Sequence, residues 1–355
     1  MNRNVYINGI GSISAQKTFE NNEFLNEFVD HEAQVISVVN PNYKDYIPPA
    51  AARRMASGIK MSVVASKIAL QEAGLEQVDA IITGTGMGCV RDSEKFVSAI
   101  IDDDEQYLTP TSFIQSTHNT VGGQIALELQ CKGYNFTYVH ASNSFESALI
   151  DAKLQLELGE EHTILVGGVD ELGEHTTALH KIINHIKPEI VKASQLLQSK
   201  TEGAVFGEGA NFFVLSNEKQ PSTYAEVLSV KIYNTLPKAE VAQAAIQFLK
   251  SNNLEVEDID LVVLGNNGDV KFDSFYDELI SKVFNNTQQV YYKHLCGEFN
   301  TASSFGFWLA SKILKTQILP DCVKLNHVNS SAFKTVLLYN QYRGENHSFT
   351  LLKQC

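Results

Sequence analysis

Asn135-Phe-Thr-Tyr-Val-His-Ala-Ser142-Asn-Ser-Phe-Glu-Ser-Ala-Leu149 holds two hydrophobic periods in one short stretch. Its aromatic and β-branched start reads as a strand. From Phe145 onward Ala148, Leu149, Ala152 and Leu156 fall on one helical face. At the junction the first helical turn points free N–H groups and the positive dipole end at Ser142, a geometry suited to lowering a nucleophile's pKa. A hydroxyl gains little from a dipole alone and needs a positioned base. Asn143, followed three residues later by Glu146, also makes a capping-box-like start, so Ser142 reads equally as part of a helix cap.

Working outward, Tyr292 to Leu314 repeats the plan of a strand, a polar junction and an apolar helix. A second echo pairs Leu75-Glu-Gln-Val-Asp-Ala-Ile-Ile-Thr-Gly84 with Leu254-Glu-Val-Glu-Asp-Ile-Asp-Leu-Val-Val-Leu-Gly265. Strands alternating with helices imply an α/β fold with covered sheets. The echoes imply two similar halves, 1–217 and 222–355, with the polar stretch Ser216 to Thr223 as the seam. Pro48-Pro49 opens an expected long helix, Ala50 to Ala73, closed by Gly74. Gly84-Thr-Gly-Met-Gly88 lacks the G-x-G-x-x-G spacing of a dinucleotide site and reads as a close backbone approach.

The formal charge of −13 argues against general nucleic-acid or anionic-membrane binding and restricts acidic partners to local basic patches. No apolar run approaches a membrane span and the start shows no signal-peptide pattern, so a cytoplasmic protein is expected. Five scattered cysteines, an odd number, exclude a complete disulfide framework and give a zinc site little support. His175, His180 and His185 recur every five residues, which on a helix sets successive members roughly 140° apart. Surface histidines, and neither metal nor cofactor, are the expectation.

Taken together, several motifs resemble the β-ketoacyl-[acyl carrier protein] synthase branch of the thiolase superfamily, from one end of the chain to the other. They are Val5-Tyr-Ile-Asn-Gly-Ile-Gly11, Ala52-Arg-Arg-Met55 with Ala73-Gly-Leu75, Leu108-Thr-Pro-Thr-Ser-Phe-Ile-Gln-Ser-Thr-His-Asn119 with Gly123-Gln-Ile-Ala126, Gly167-Gly-Val-Asp170 and Phe206-Gly-Glu-Gly-Ala210. The resemblance implies a thiolase-like five-layer αβαβα sandwich. It also implies that Ser142 occupies the place of the acylated cysteine. Two histidines of the second half would then polarise the malonyl thioester for decarboxylation.

This chain departs from the pattern at each of those parts. Leu264-Gly-Asn-Asn-Gly-Asp269 puts Gly265 or Asn266 where the first imidazole belongs. Lys293-His-Leu-Cys-Gly-Glu298 keeps the lysine and places Glu298 at the second histidine. Asn329 to Thr335 lacks the glycines of the family's late loop. An anionic Glu298 would oppose charge building on an enolate, and losing one such donor typically costs ~10²–10³ in rate.

The resemblance plus these losses points to a chain-length-factor-like subunit, pairing as a heterodimer with an active ketosynthase and serving an acyl carrier protein. The motif forms resemble ketosynthase subunits of aryl polyene or flexirubin-type pathways. The strand Asn135 to His140 would pair across the two-fold axis. Leu108 to Asn119, with His118 in it, would close the partner's acyl tunnel through Phe113 and Gln115. A homodimer is the fallback. Other readings stay open: an acyltransferase using Ser142 with His140 as base, Cys296 as a displaced thiol, or an acyl-binding scaffold.

Overall fold

The computed structural model describes residues 3–328 and 332–355. The first half runs β1 (Tyr6–Ile13), β2 (Glu32–Ala33), α1 (Pro49–Ala52), α2 (Ser57–Ala73), β3 (Ala80–Gly84), α3 (Val90–Asp102), α4 (Pro110–Ser116) and α5 (Thr120–Leu129). It continues through β4 (Asn135–Tyr138), α6 (Ser144–Leu158), β5 (Thr163–Asp170), α7 (Glu174–Ile182), β6 (Val191–Lys192) and β7 (Gly209–Ser216). The second half holds β8 (Ala225–Thr235), α8 (Val241–Ser251), β9 (Leu261–Leu264), α9 (Ser274–Leu279), β10 (Gln288–Tyr291), α10 (Lys293–Cys296), α11 (Ser303–Thr316), β11 (Thr335–Tyr342) and β12 (Glu345–Lys353).

Ten of these strands form one sheet in the order β10-β9-β11-β12-β8-β1-β7-β5-β3-β4, while β2 and β6 pair separately. Read outward from the centre, β1-β7-β5-β3-β4 and β8-β12-β11-β9-β10 have the same plan, the structural form of the sequence echo. The halves meet where β1 and β8 pair at only two positions, Tyr6 with Glu226 and Ile7 with Ala225.

Three apolar clusters set the layers. Phe145, Leu149 and Leu156 of α6 meet Phe305, Trp308 and Leu309 of α11 in the central cluster, between the two half-sheets. Ile59, Val63 and Val64 of α2 and Ile125 of α5 cover the outer face of the first half. Val241, Phe248 and Leu249 of α8 and Leu279 of α9 cover that of the second. The result is the αβαβα sandwich. Residues Ser303 to Leu314 of α11 are all buried, as a helix in a central layer must be.

The expected single helix Ala50 to Ala73 is interrupted. α1 ends at Ala52, Ala56 takes extended ψ 159°, and α2 begins at Ser57. The cause is tertiary: Glu171 Oε2 accepts the Gly58 N–H at 2.6 Å, satisfying the start of a new helix. Gly74 closes α2 at φ 68° as expected.

Candidate functional site

β4 stops at Tyr138, and Ala141 turns the chain at φ 45° before α6 begins. Ser144 ties this turn, its Oγ accepting from His140 N–H at 2.8 Å and donating to Ala141 O at 2.6 Å. The expected capping box is absent: Asn143 makes no side-chain cap bond, and Glu146 is buried and accepts from Ser348 Oγ at 2.8 Å. Burial pushes the Glu146 carboxyl up, against the hydrogen bond from Ser348 and the charge of Lys293.

Ser142 is buried and its Oγ has no hydrogen-bond partner. His140 is not its base. The αL turn at Ala141 ends the strand alternation, and the imidazole faces Ser147 Oγ at 3.1 Å and Asn234 Oδ1 at 3.0 Å.

In the second half the place expected for the first imidazole has no space. A Cβ at Gly265 would lie 2.4 Å from Asn340 Oδ1 and 2.7 Å from Tyr276 Oη. Tyr292 Oη donates to the same Asn340 oxygen at 3.0 Å. Asn266 is buried beside Asp273, with its own Oδ1 unpartnered. The residue that reaches the site is Asn267, which donates to Glu298 Oε2 at 2.6 Å. Lys293 Nζ bonds the same oxygen at 2.6 Å, and both members of this ion pair are almost wholly buried. Asp273 supports the turn by accepting Asn267 N–H at 3.1 Å and Gly268 N–H at 2.9 Å. Burial raises its carboxyl to about 6.

Thus Lys293 and Glu298 come together, Asn267 joins them, Gly265 backs onto the Lys293 stem with an added Cβ 3.3 Å from its Cε, and Asn266 turns to Asp273. Cys296 is buried with its thiol toward Gly297 O at 3.2 Å, and burial pushes its pKa well up, an inert packing position. Residues 329–331 of the glycine-free segment lie outside the described residues.

Glu298 borders a cleft of about 210 Å³ whose walls include Met87, Val90, Phe206, Phe299 and Tyr342. Ser142 does not line it. Asp170 holds the cleft's base: it accepts Gly86 N–H, Met87 N–H and Thr301 N–H at 2.8, 3.0 and 2.9 Å, joining the two halves. The glycine turn after β3 therefore cradles an internal carboxylate.

His180 and His185 also border the cleft, against the expectation of unrelated surface positions. α7 ends at Ile182, and the following turn folds the chain back, bringing the two Nδ1 atoms to 3.2 Å. Burial lowers both imidazoles, that of His185 to about 4, with the nearby Arg343 adding to the shift. Among the described residues no three His, Cys, Asp or Glu side chains converge as a metal set.

Phe113 is exposed on α4, its ring 5.2 Å from Phe96. Gln115 points inward, its Nε2 donating to Arg54 O. His118 is exposed and packs beside Gly88. β4 is the last strand of the sheet, and Phe136 and Val139 are about half exposed, 46% and 51%. Among the described residues no helix is long and apolar enough to cross a membrane.

Residues 21–220 match the family described as beta-ketoacyl synthase, N-terminal domain. The 3-oxoacyl-[acyl-carrier-protein] synthase 2 proteins of Staphylococcus aureus (strain N315) and Rhizobium meliloti (strain 1021) are each 23% identical, over 203 and 206 residues. Each match covers 53% of this chain and 49% or 48% of the relative, so the chain spans about half the length of the curated relatives it matches. Among solved structures, the ishigamide ketosynthase/chain length factor is similar with a TM-score of 0.79 at 19% identity, over 100% of both chains. A ketosynthase in complex with its chain length factor from Xenorhabdus doucetiae gives 0.78 at 18%, over 99% of this chain and 98% of that one. At such identities these structures show a shared fold.

Proposed function

Because this chain belongs to the beta-ketoacyl synthase family, we propose that it is a ketosynthase-like subunit without condensing activity of its own. On this reading it is a chain-length-factor-type partner of an active β-ketoacyl-ACP synthase, in type II polyketide or fatty-acid-like synthesis of the aryl polyene kind in the cytoplasm. The observation that carries the reading is Glu298, a buried carboxylate ion-paired to Lys293 where the second histidine would stand. Decarboxylative condensation builds negative charge on a thioester oxygen, and a carboxylate there destabilises it. Lys293, the nearby cation, is already consumed by the pair. Two further features agree: an added Cβ at Gly265 would crowd Asn340 and Tyr276, and the Ser142 hydroxyl is buried and is not among the residues lining the cleft.

The partner reading rests on surface chemistry. β4 offers an unpaired edge flanked by apolar side chains, suited to pairing with a second sheet. Phe113 and Ile114 project from α4 with 54% and 56% exposure, placed to close a partner's acyl tunnel. Each methylene admitted to such a tunnel is worth roughly 0.8 kcal/mol of burial, enough to bias product length without touching chemistry. Lys95 and Lys181 line a cleft of about 700 Å³ together with Glu94, Glu174 and an Arg91 already paired with Glu208, so an acyl carrier protein docking there would meet charges of both signs. We place the two halves at 1–217 and 222–355.

Co-expression with a neighbouring active ketosynthase, followed by size-exclusion chromatography and intact mass, tests this. A 1:1 complex needed for product formation, with Ser142→Ala fully competent, is expected. A lone homodimer that acquires a covalent acyl group at Ser142 and elongates it would overturn the proposal. Within the complex Phe113→Ala lengthens the product distribution; an unchanged distribution removes Phe113 from the tunnel end.

A further inference from the structure

The His180–His185 pair lies outside the charge network around Glu298, and the proposed function does not use it. Asn184 adopts φ 57°, and the His185 N–H returns to His180 O at 2.9 Å, so the chain after α7 folds back on its own last turn. The two Nδ1 atoms then face each other at 3.2 Å with rings tilted by 31°. From the second half, at the end of β11, Tyr342 brings its Oη to 3.3 Å from His185 Nδ1. One imidazole nitrogen therefore meets two other donor atoms, although a neutral nitrogen offers only one proton or one lone pair.

Two ligands of a tetrahedral ion, each about 2.0–2.1 Å from the metal, stand about 3.3–3.4 Å apart. Both observed separations are close to that edge length. We propose that His180 Nδ1, His185 Nδ1 and Tyr342 Oη form a site for one divalent transition-metal ion of the zinc class, joining the two halves at the rim of the Glu298 cleft. The two imidazole donors suit zinc, copper or nickel better than calcium or magnesium. Arg343, whose charge acts on both imidazoles, is partly offset by Asp269 at 3.2 Å and stacks on Phe272 at 4.8 Å. Phe206 walls the site 4.9 Å from the His180 ring, and the cleft leaves room for water at a remaining coordination position. The inference is independent of whether the chain condenses acyl groups.

The test uses the untagged full chain, stripped with a chelator, titrated with Zn2+ by calorimetry and with Co2+ by visible absorption. One ion per chain with ligand-field bands in the Co2+ spectrum is expected. His180→Ala and His185→Ala should each weaken binding by about 100-fold and Tyr342→Phe by about tenfold. His175→Ala, the exposed member of the same run, should bind as wild type. His185→Gln retains size and polarity should the alanine variant fail to fold. Absence of a stoichiometric ion in the wild type, or undiminished affinity in folded His185→Gln, overturns the site.

Discussion

Lys293 and Glu298 form a buried ion pair whose shared oxygen also accepts from Asn267, so each charge depends on the other for compensation. Lys293→Met leaves an unpaired buried carboxylate and should destabilise the fold by about 3–5 kcal/mol, measured from urea unfolding. Adding Glu298→Leu to that variant should recover most of the loss; a double mutant as unstable as the single would show that packing of the lysine stem, and not charge, dominates. Both residues were legible in the sequence because they belong to one six-residue motif, but their pairing was not, since the turn through Cys296 and Gly297 decides it. Nor was Asn267. Its approach to Glu298 depends on how the Asn266-Asn267-Gly268 turn is wound, with Gly268 at φ 78° and Asp273 holding its N–H groups, and neither neighbour in the alphabet of the motif says which asparagine faces inward. The same holds at Ser142, where the sequence offered a capping box and a His140 base, and a single αL residue at Ala141 removed the latter.

Glu171 shows how one element is defined by another. Its carboxylate accepts Gly58 N–H and Arg91 N–H, starting both α2 and α3, and this is why the helix expected over 50–73 breaks. Burial nevertheless raises its pKa from 4.5 to about 7. At this group the native state therefore holds more proton than the unfolded chain between those values, so its contribution to stability falls as pH rises through that window. The stabilisation is complete below about 4.5, is lost as pH passes about 7, and is on the order of 3 kcal/mol. Glu171→Gln should flatten this part of the profile of urea midpoints; an unaltered slope would assign the pH dependence to other groups. Repeats of strand, turn and helix were readable because burial imposes their periods on the sequence. The break at Arg53 to Ala56 and the fold-back of His185 on His180 were not, because a carboxylate 113 positions from Gly58 and a left-handed Asn184 decide them.

At the scale of the molecule the two ends of the ten-stranded sheet are treated differently. At one end β10 is buried, and its outer side is covered where Leu325 N–H reaches Gln289 O and Lys324 bridges Val290. At the other, β4 is left open, with Tyr134 and Phe136 stacked at 6.0 Å and Phe136 against Tyr138 at 4.9 Å in an aromatic row along the edge. An open apolar edge invites pairing with another chain, and the second half shows that this fold can cover such an edge internally. The repeated plan of the halves makes the contrast informative: equivalent strands, one closed by its own chain and one left for another. Introducing charge at both exposed positions, Phe136→Glu with Val139→Glu, should therefore abolish assembly with a partner or with a second copy while leaving the monomer folded, since neither side chain contributes to the buried core. Light scattering coupled to size exclusion reads the mass, and far-UV circular dichroism reads the fold. A complex that persists at wild-type affinity in a folded double variant would show that assembly uses another face, with the exposed apolar side chains of α3 and α4 the next surface to examine.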